Sequence, residues 1–313
     1  MLSGTHGTPI RMAVLALLWG SSFLWIKLAL AGGLCPLHIT VVRCALGAGV
    51  LLLLARAGGQ RLPRDRRTWS HLVVAAFFCN ALPFLLFGIG EQSVDSGVAG
   101  VLNATTPLWS LVIAVTSGTE RGIRPVRLAG LLLGFAGTVF IFAPWQRGGL
   151  SGWGVLALLA AAVSYAVAFA YMARHLIGRR TAPLALSAAQ LLAATGLSTV
   201  ALPSGPMSLS GPTFTAVAAV AVLGVFGTGV TFHLNSRLIA DEGPTTAATV
   251  GYLLPVVSVA LGAIVLGERV GLRVITGMVL VLVGVGLARS RNTGLARPGA
   301  AAAPQRSSAS STG

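Results

Sequence analysis

Residues 107–121 read PLWSLVIAVTSGTER, and residues 255–269 read PVVSVALGAIVLGER. In both, a proline is followed three residues later by serine and thirteen residues later by Glu-Arg, with mostly apolar side chains between. The chain of 313 residues holds only seven Asp and Glu, so Glu-Arg recurring at one distance from a proline is no accident of composition. The offset of 148 that superposes the stretches also lays Phe84 on Phe232. At 147, Lys27 falls on Arg174, Pro36-Leu37 on Pro183-Leu184, and Gly130 and Gly137 on Gly277 and Gly284. Self-similarity at a fixed period marks a duplicated unit.

What is duplicated follows from composition. Hydrophobic residues make up 55% of the chain and charged residues 9%, against about 25% charged in an ordinary soluble domain. Apolar runs near the roughly 17–25 residues that cross a bilayer recur throughout. They cover residues 12–31, 37–55, 70–90, 97–116, 128–143, 153–173, 183–202, 213–235, 245–266 and 272–288. Lipid offers a backbone no hydrogen-bond partner, and period-2 alternation is absent, so each run is expected to be a helix rather than a barrel strand. The fold class is an all-α membrane protein with ten transmembrane helices. Five helices per copy is an odd number, so the second copy enters the bilayer upside down, giving two inverted five-helix repeats. Their bounds are 10–144 and 152–288, and residues 289–313, rich in Ala, Ser, Pro and Arg, are expected to form a disordered cytoplasmic tail.

The net charge of +15 would suggest nucleic acid in a soluble protein, but here the basic residues flank apolar runs and serve orientation, so no nucleic-acid partner is expected. Placing the N-terminus inside puts 17 Lys and Arg on that face and only Arg147, Arg269 and Arg273 on the other. Both termini are therefore expected in the cytoplasm, with the chain in the cell (inner) membrane and lipid as its first partner. The run from Met12 to Ala31 is too long for a signal-peptide core and reads as a retained helix. Cys35, Cys44 and Cys79 are odd in number and lack CxxC spacing, which indicates neither a disulfide framework nor a metal site. No cofactor is expected.

Several side chains stand out within the spans. Ser96, Gly100, Asn103, Pro107 and Ser110 share one stripe of a helix, and Pro244, Ala248, Gly251, Pro255 and Ser258 repeat it. Such a stripe suits either close helix packing or a cavity wall, and Pro107 and Pro255 each free a carbonyl and bend the helix. Arg43 sits about 10 Å into its span at 1.5 Å per residue. A charge at depth costs about 2.5–3.5 kcal/mol on insertion scales, so it must face a partner or a wet cavity. Its counterpart at the repeat offset is the uncharged Gln190. Lys27, the single lysine, is near a span end and can snorkel. Glu120 and Glu268 close two spans and can order helix ends or gate the bundle. Trp19, Asn80, Phe84, Asn103, Tyr165, Gln190, His233 and Tyr252, with Arg43, are the candidate cavity set, since amides and phenols need partners away from water. Trp69 and Trp153, at span ends, read as interfacial anchors.

Both halves resemble the EamA-type family of the drug/metabolite transporter superfamily over roughly residues 10–288. The resemblance rests on Trp19-Gly20, on Pro36 with Arg43, on Pro107 to Glu120 then Gly130, and on Pro255 to Gly267-Glu268 then Gly277. It implies a central cavity walled by the first four helices of each copy, with the fifth of each peripheral, and movement of small organic solutes, amino acids prominent among them. Ser164-Tyr165 stands where the family tends to carry tryptophan.

The function expected is a secondary transporter, in the exporting direction, of small metabolites, possible as a homo-oligomer. The absence of GxxxxGK[ST] argues against direct coupling to ATP. Proton coupling would have to use Glu91, Asp95, Glu120, His233 or Glu268. A membrane-embedded enzyme would need clustered His, Asp or Glu inside the spans, and the sequence has no such cluster. A non-transporting scaffold is the other alternative.

Overall fold

The computed structural model describes residues 7–94, 96–118, 124–142, 152–176, 181–202, 211–243, 247–254, 256–257 and 271–289, and among them every regular element is helical. Helix α1 is Gly7–Ala31, α2 is Pro36–Ala57, and α3 runs over Arg66–Ser93. Helix α4 comprises Ser96–Asn103 and Thr106–Thr116, and α5 is Pro125–Phe142. Helix α6 is Trp153–His175, α7 is Pro183–Val200, and α8 spans Phe214–Glu242. A helical stretch follows at residues 247–254, and α9 is Leu272–Arg289. Seven of these helices, α1 to α4 and α6 to α8, are long and apolar enough to cross a membrane, while Pro125–Ile141 and Leu272–Ala288 are shorter apolar helices. The chain is thus a multi-helix membrane protein. The expected span at 245–266 lies for the most part outside the described residues, as do Pro255, Glu120, Glu268 and the tail.

Local chemistry sets the helix ends. Asp65 accepts a hydrogen bond from the Thr68 amide at 2.8 Å and starts α3, and Thr213 does the same for the Ala216 amide at 3.2 Å at the start of α8. Pro36 and Pro183 stand in the first turns of α2 and α7, where no amide proton is needed. Gly243, with φ +84°, ends α8 in a conformation that a side chain would resist. Capping at Asp65 and Gly243 carries α3 and α8 several residues past the apolar limits of 70 and 235, because span ends in the headgroup region need not be apolar.

Two of the long helices are not α-helical throughout. Phe77–Ala81 in α3 and Val225–Val230 in α8 are wide π turns, a feature that often marks functional sites. Helix α4 is interrupted by a turn at 104–105. Pro107 offers no amide proton to the Asn103 carbonyl one turn back, and that carbonyl instead accepts from the Thr106 hydroxyl at 2.7 Å.

Packing is built on small residues. Helix α2 lies along α7 and crosses the wide turn of α8, where a Cβ on Gly47 would come within 3.1 Å of the Gly224 oxygen and the Gly229 nitrogen. Helices α5 and α9 cross backbone to backbone: a Cβ on Gly130 would meet the Gly284 oxygen at 2.7 Å, and one on Gly137 the Gly277 oxygen at 2.7 Å. Close approach of this kind gains dispersion where lipid removes the hydrophobic drive between helices. The interior is correspondingly rich in alanine, while Leu24, Leu53, Leu132, Leu156 and Phe226 face outward.

Candidate functional site

Trp19 is the thirteenth residue of the 25 in α1, and Ser22, Phe23 and Ile26 follow it on the same helical stripe. This stripe is one wall of a cavity near the middle of the bundle, enclosing about 630 Å³ of space between its lining atoms, mouth included. Arg43 of α2 and Phe84 and Phe87 of α3 form the next wall. Asn103 and Thr106 flank the break in α4, Tyr165 and Phe169 come from α6, and Ala248, Gly251 and Leu254 close the ring. Both halves of the chain contribute.

Arg43 is the only charged side chain among the described lining residues. It is only 4% exposed. Its Nε donates to the Thr228 hydroxyl at 3.1 Å, and that hydroxyl donates in turn to the Leu223 carbonyl at 2.9 Å within the wide turn of α8. The guanidinium carbon stands 3.6 Å from the centre of the Phe84 ring. Cation–π contact of a desolvated group is worth about 2 kcal/mol, and a hydrogen bond to a charged group about 1.5–3 kcal/mol. Together these offset much of the cost of placing the charge at depth.

Aromatic rings continue around the wall. Phe23 and Phe87 have centroids 5.8 Å apart, Phe87 and Tyr165 6.1 Å, and Tyr165 and Phe169 6.0 Å. Behind the wall, Phe84 meets Phe232 edge to face at 5.9 Å. The result is a slot with aromatic faces, one fixed cation and a few hydroxyl and amide groups.

Of the candidates singled out in the sequence, Trp19, Arg43, Phe84, Asn103 and Tyr165 are brought together on this wall. Asn80 and Gln190 are not on it: Gln190 Nε2 donates at 2.8 Å to Oδ1 of Asn80, which lies in the wide turn of α3, and the pair is buried. Tyr252 is fully buried behind Gly134, and its hydroxyl has no hydrogen-bond partner among the described residues. The same holds for His233 Nδ1 and both amide atoms of Asn235 on α8. Pro107 lies just behind the lining pair of α4. Ser22, Phe23, Phe87, Thr106 and Phe169 also line the wall, each three or four residues from a candidate, so helical spacing carried the signal that could have found them.

At one end of the bundle, α1 and α8 are tied together. Arg11 pairs with Asp241, and the Thr8 hydroxyl donates to Glu242 at 3.1 Å. Another closure joins α3 to α6, where a Cβ on Gly90 would lie 2.6 Å from Leu158 Cγ and one on Gly154 2.8 Å from Val94 Cγ2. Leu238 follows Gly90 by 148 residues, and Leu158 follows Arg11 by 147.

The family model described as EamA-like transporter family matches residues 9–143 and again 152–290. The chain is 28% identical over 268 residues to the uncharacterized inner membrane transporter YedA of Escherichia coli strain K12, covering 83% of this chain and 84% of that protein. It is 28% identical over 291 residues to the uncharacterized transporter YvbV of Bacillus subtilis strain 168, covering 91% and 92%. An uncharacterized transporter of Archaeoglobus fulgidus is 25% identical over 280 residues, covering 88% and 96%. A solved crystal structure superposes with a TM-score of 0.74 at 22% identity, covering 91% of this chain and 97% of that one, a likeness of fold alone. Matched to one family over most of its length, and built of helices fit to cross a bilayer, the chain is a multi-pass membrane protein of the EamA-like transporter family.

Proposed function

We propose that the protein is a secondary transporter that exports small organic metabolites, amino acids or related compounds, by alternating access between two inverted five-helix repeats of a ten-span bundle. The observation that carries the reading is the mid-bundle cavity, walled by both halves and holding one buried cation among aromatic rings. Family membership argues against an enzyme, and against a scaffold with no path for a solute.

The repeat draws support from contacts made at its own offset. Arg43 with Thr228 and Gln190 with Asn80 are one contact made twice, since Gln190 follows Arg43 by 147 residues and Thr228 follows Asn80 by 148. Phe84 and Phe232 are counterparts and meet each other, as residues on a two-fold axis do. Gly130 meets Gly284 and Gly137 meets Gly277, each glycine facing the counterpart of the other, which is the pattern of an isologous contact. Alternating access would open a second face toward the unpartnered polar atoms of His233, Asn235 and Tyr252. Both termini are assigned to the cytoplasm on the distribution of Lys and Arg.

Purified protein in liposomes, tested for counterflow of a labelled amino-acid and metabolite panel with and without a proton gradient, should show saturable flux of one class. Absence of flux from folded protein across the panel would count against transport. Cysteine labelling should reach position 67 from the cytoplasm and position 147 from outside, and the reverse pattern would overturn the orientation.

A further inference from the structure

Arg43 has more hydrogen-bonding capacity than the protein uses. A guanidinium carries five N–H donors in a planar fork. Nε is committed to Thr228, and one face of the plane is covered by Phe84. Neither terminal nitrogen has a hydrogen-bond partner among the described residues, yet neither is sealed from space, and Arg43 lines the cavity. No carboxylate comes within 4.0 Å of it among the described residues. Glu91, buried further along α3, interacts with it favourably only through space.

The rest of the wall narrows what could fill that edge. A phosphate dianion would need further cations, and the described wall supplies none beyond Arg43. An amine would meet a like charge and find no acidic side chain among the described lining residues. A carboxylate matches the fork in a bidentate pair and neutralises the single charge. The rings of Phe23, Phe87 and Tyr165 then offer flat apolar faces to the remainder of the solute.

We propose that Arg43 binds the carboxylate of the transported solute, and that the site selects monocarboxylates with a flat or extended apolar body, needing no ammonium group. This rests on the transport reading above and narrows its substrate class. Thr228 and Phe84 act as positioning residues that hold the fork edge-on to the cavity.

The test compares phenylacetate, indole-3-acetate and octanoate with phenylacetamide and phenethylamine, by thermal unfolding of the purified full chain in detergent. The acids should raise the unfolding temperature saturably, and the amide and amine should leave it unchanged at equal concentration. Arg43→Gln should weaken the response to the acids about tenfold or more, with Arg43→Lys between the two. Stabilisation by the amide or amine equal to that by the acids, no response to any of the three acids, or an acid preference retained by Arg43→Gln would each overturn the proposal. Should Arg43→Gln not fold, the comparison of acid with amide on the unaltered protein still decides. The two readings fail separately in counterflow. Acids that bind but do not exchange across liposomes would count against transport and leave the carboxylate site standing. Exchange of amines or neutral solutes without acid preference would uphold transport and overturn this site.

Discussion

Arg43 with Thr228 and Gln190 with Asn80 are built on the same plan: a long side chain from the helix after a proline start reaches a polar residue in a wide turn of a neighbouring helix. Their outcomes differ. Gln190 is neutral and bonded to an amide in a buried pair, away from the cavity. Arg43 spends one donor on its partner and presents the others to the cavity. The frame is common to both halves, and a change of one side chain from amide to guanidinium separates a structural clasp from a candidate binding site.

Removing each side chain is the most direct way to break the comparison. Arg43→Ala should reduce flux by about a hundredfold, the loss of about 2.7 kcal/mol of interaction, while membrane insertion and detergent stability persist; unchanged flux per folded molecule would sink the role assigned to Arg43. Gln190→Ala should do the opposite. It leaves the buried Asn80 carbonyl without a donor, which costs about 1–3 kcal/mol, read as a lower midpoint in an unfolding titration with flux per folded molecule largely retained. Equal flux losses in both variants would erase the distinction between clasp and site. The smallest effect is expected at Arg11, whose partner Asp241 is half-exposed. Arg11→Ala should cost no more than about 1 kcal/mol, with faster cysteine labelling between α1 and α8 as its clearer sign.

The helical membrane fold was legible because long apolar runs leave the backbone no other solution. The break in α4 was legible too, since Pro107 cannot bond to the Asn103 carbonyl. The wall was legible only in part. In a soluble helix, polarity separates the outer face from the inner, but here Phe77, Trp109 and Phe226 lie exposed on the outside of the bundle while Phe23, Phe87 and Phe169 line the cavity. Nothing in the residue type distinguishes the two groups. The pairing of Asn80 with Gln190 depends on helices brought together 110 residues apart in sequence. The wide turns carry no local signature, because FFCNA and VFGTGV share neither composition nor a proline.

Those wide turns also bear on how much length the chain can lose. An α-helix turns about 100° per residue, and a π turn holds one residue more than the α-helical turns beside it. Deleting a single residue within 225–230 would therefore let α8 close as a regular helix, with the residues beyond the deletion facing nearly as they do now. Phe232 would stay opposite Phe84, and what would be lost is the widened backbone in which Thr228 holds Arg43. A one-residue gap at 77–81 or 225–230 in an alignment of relatives would thus mark a straightened helix that keeps its register, where the same gap elsewhere in a span would turn every residue beyond it.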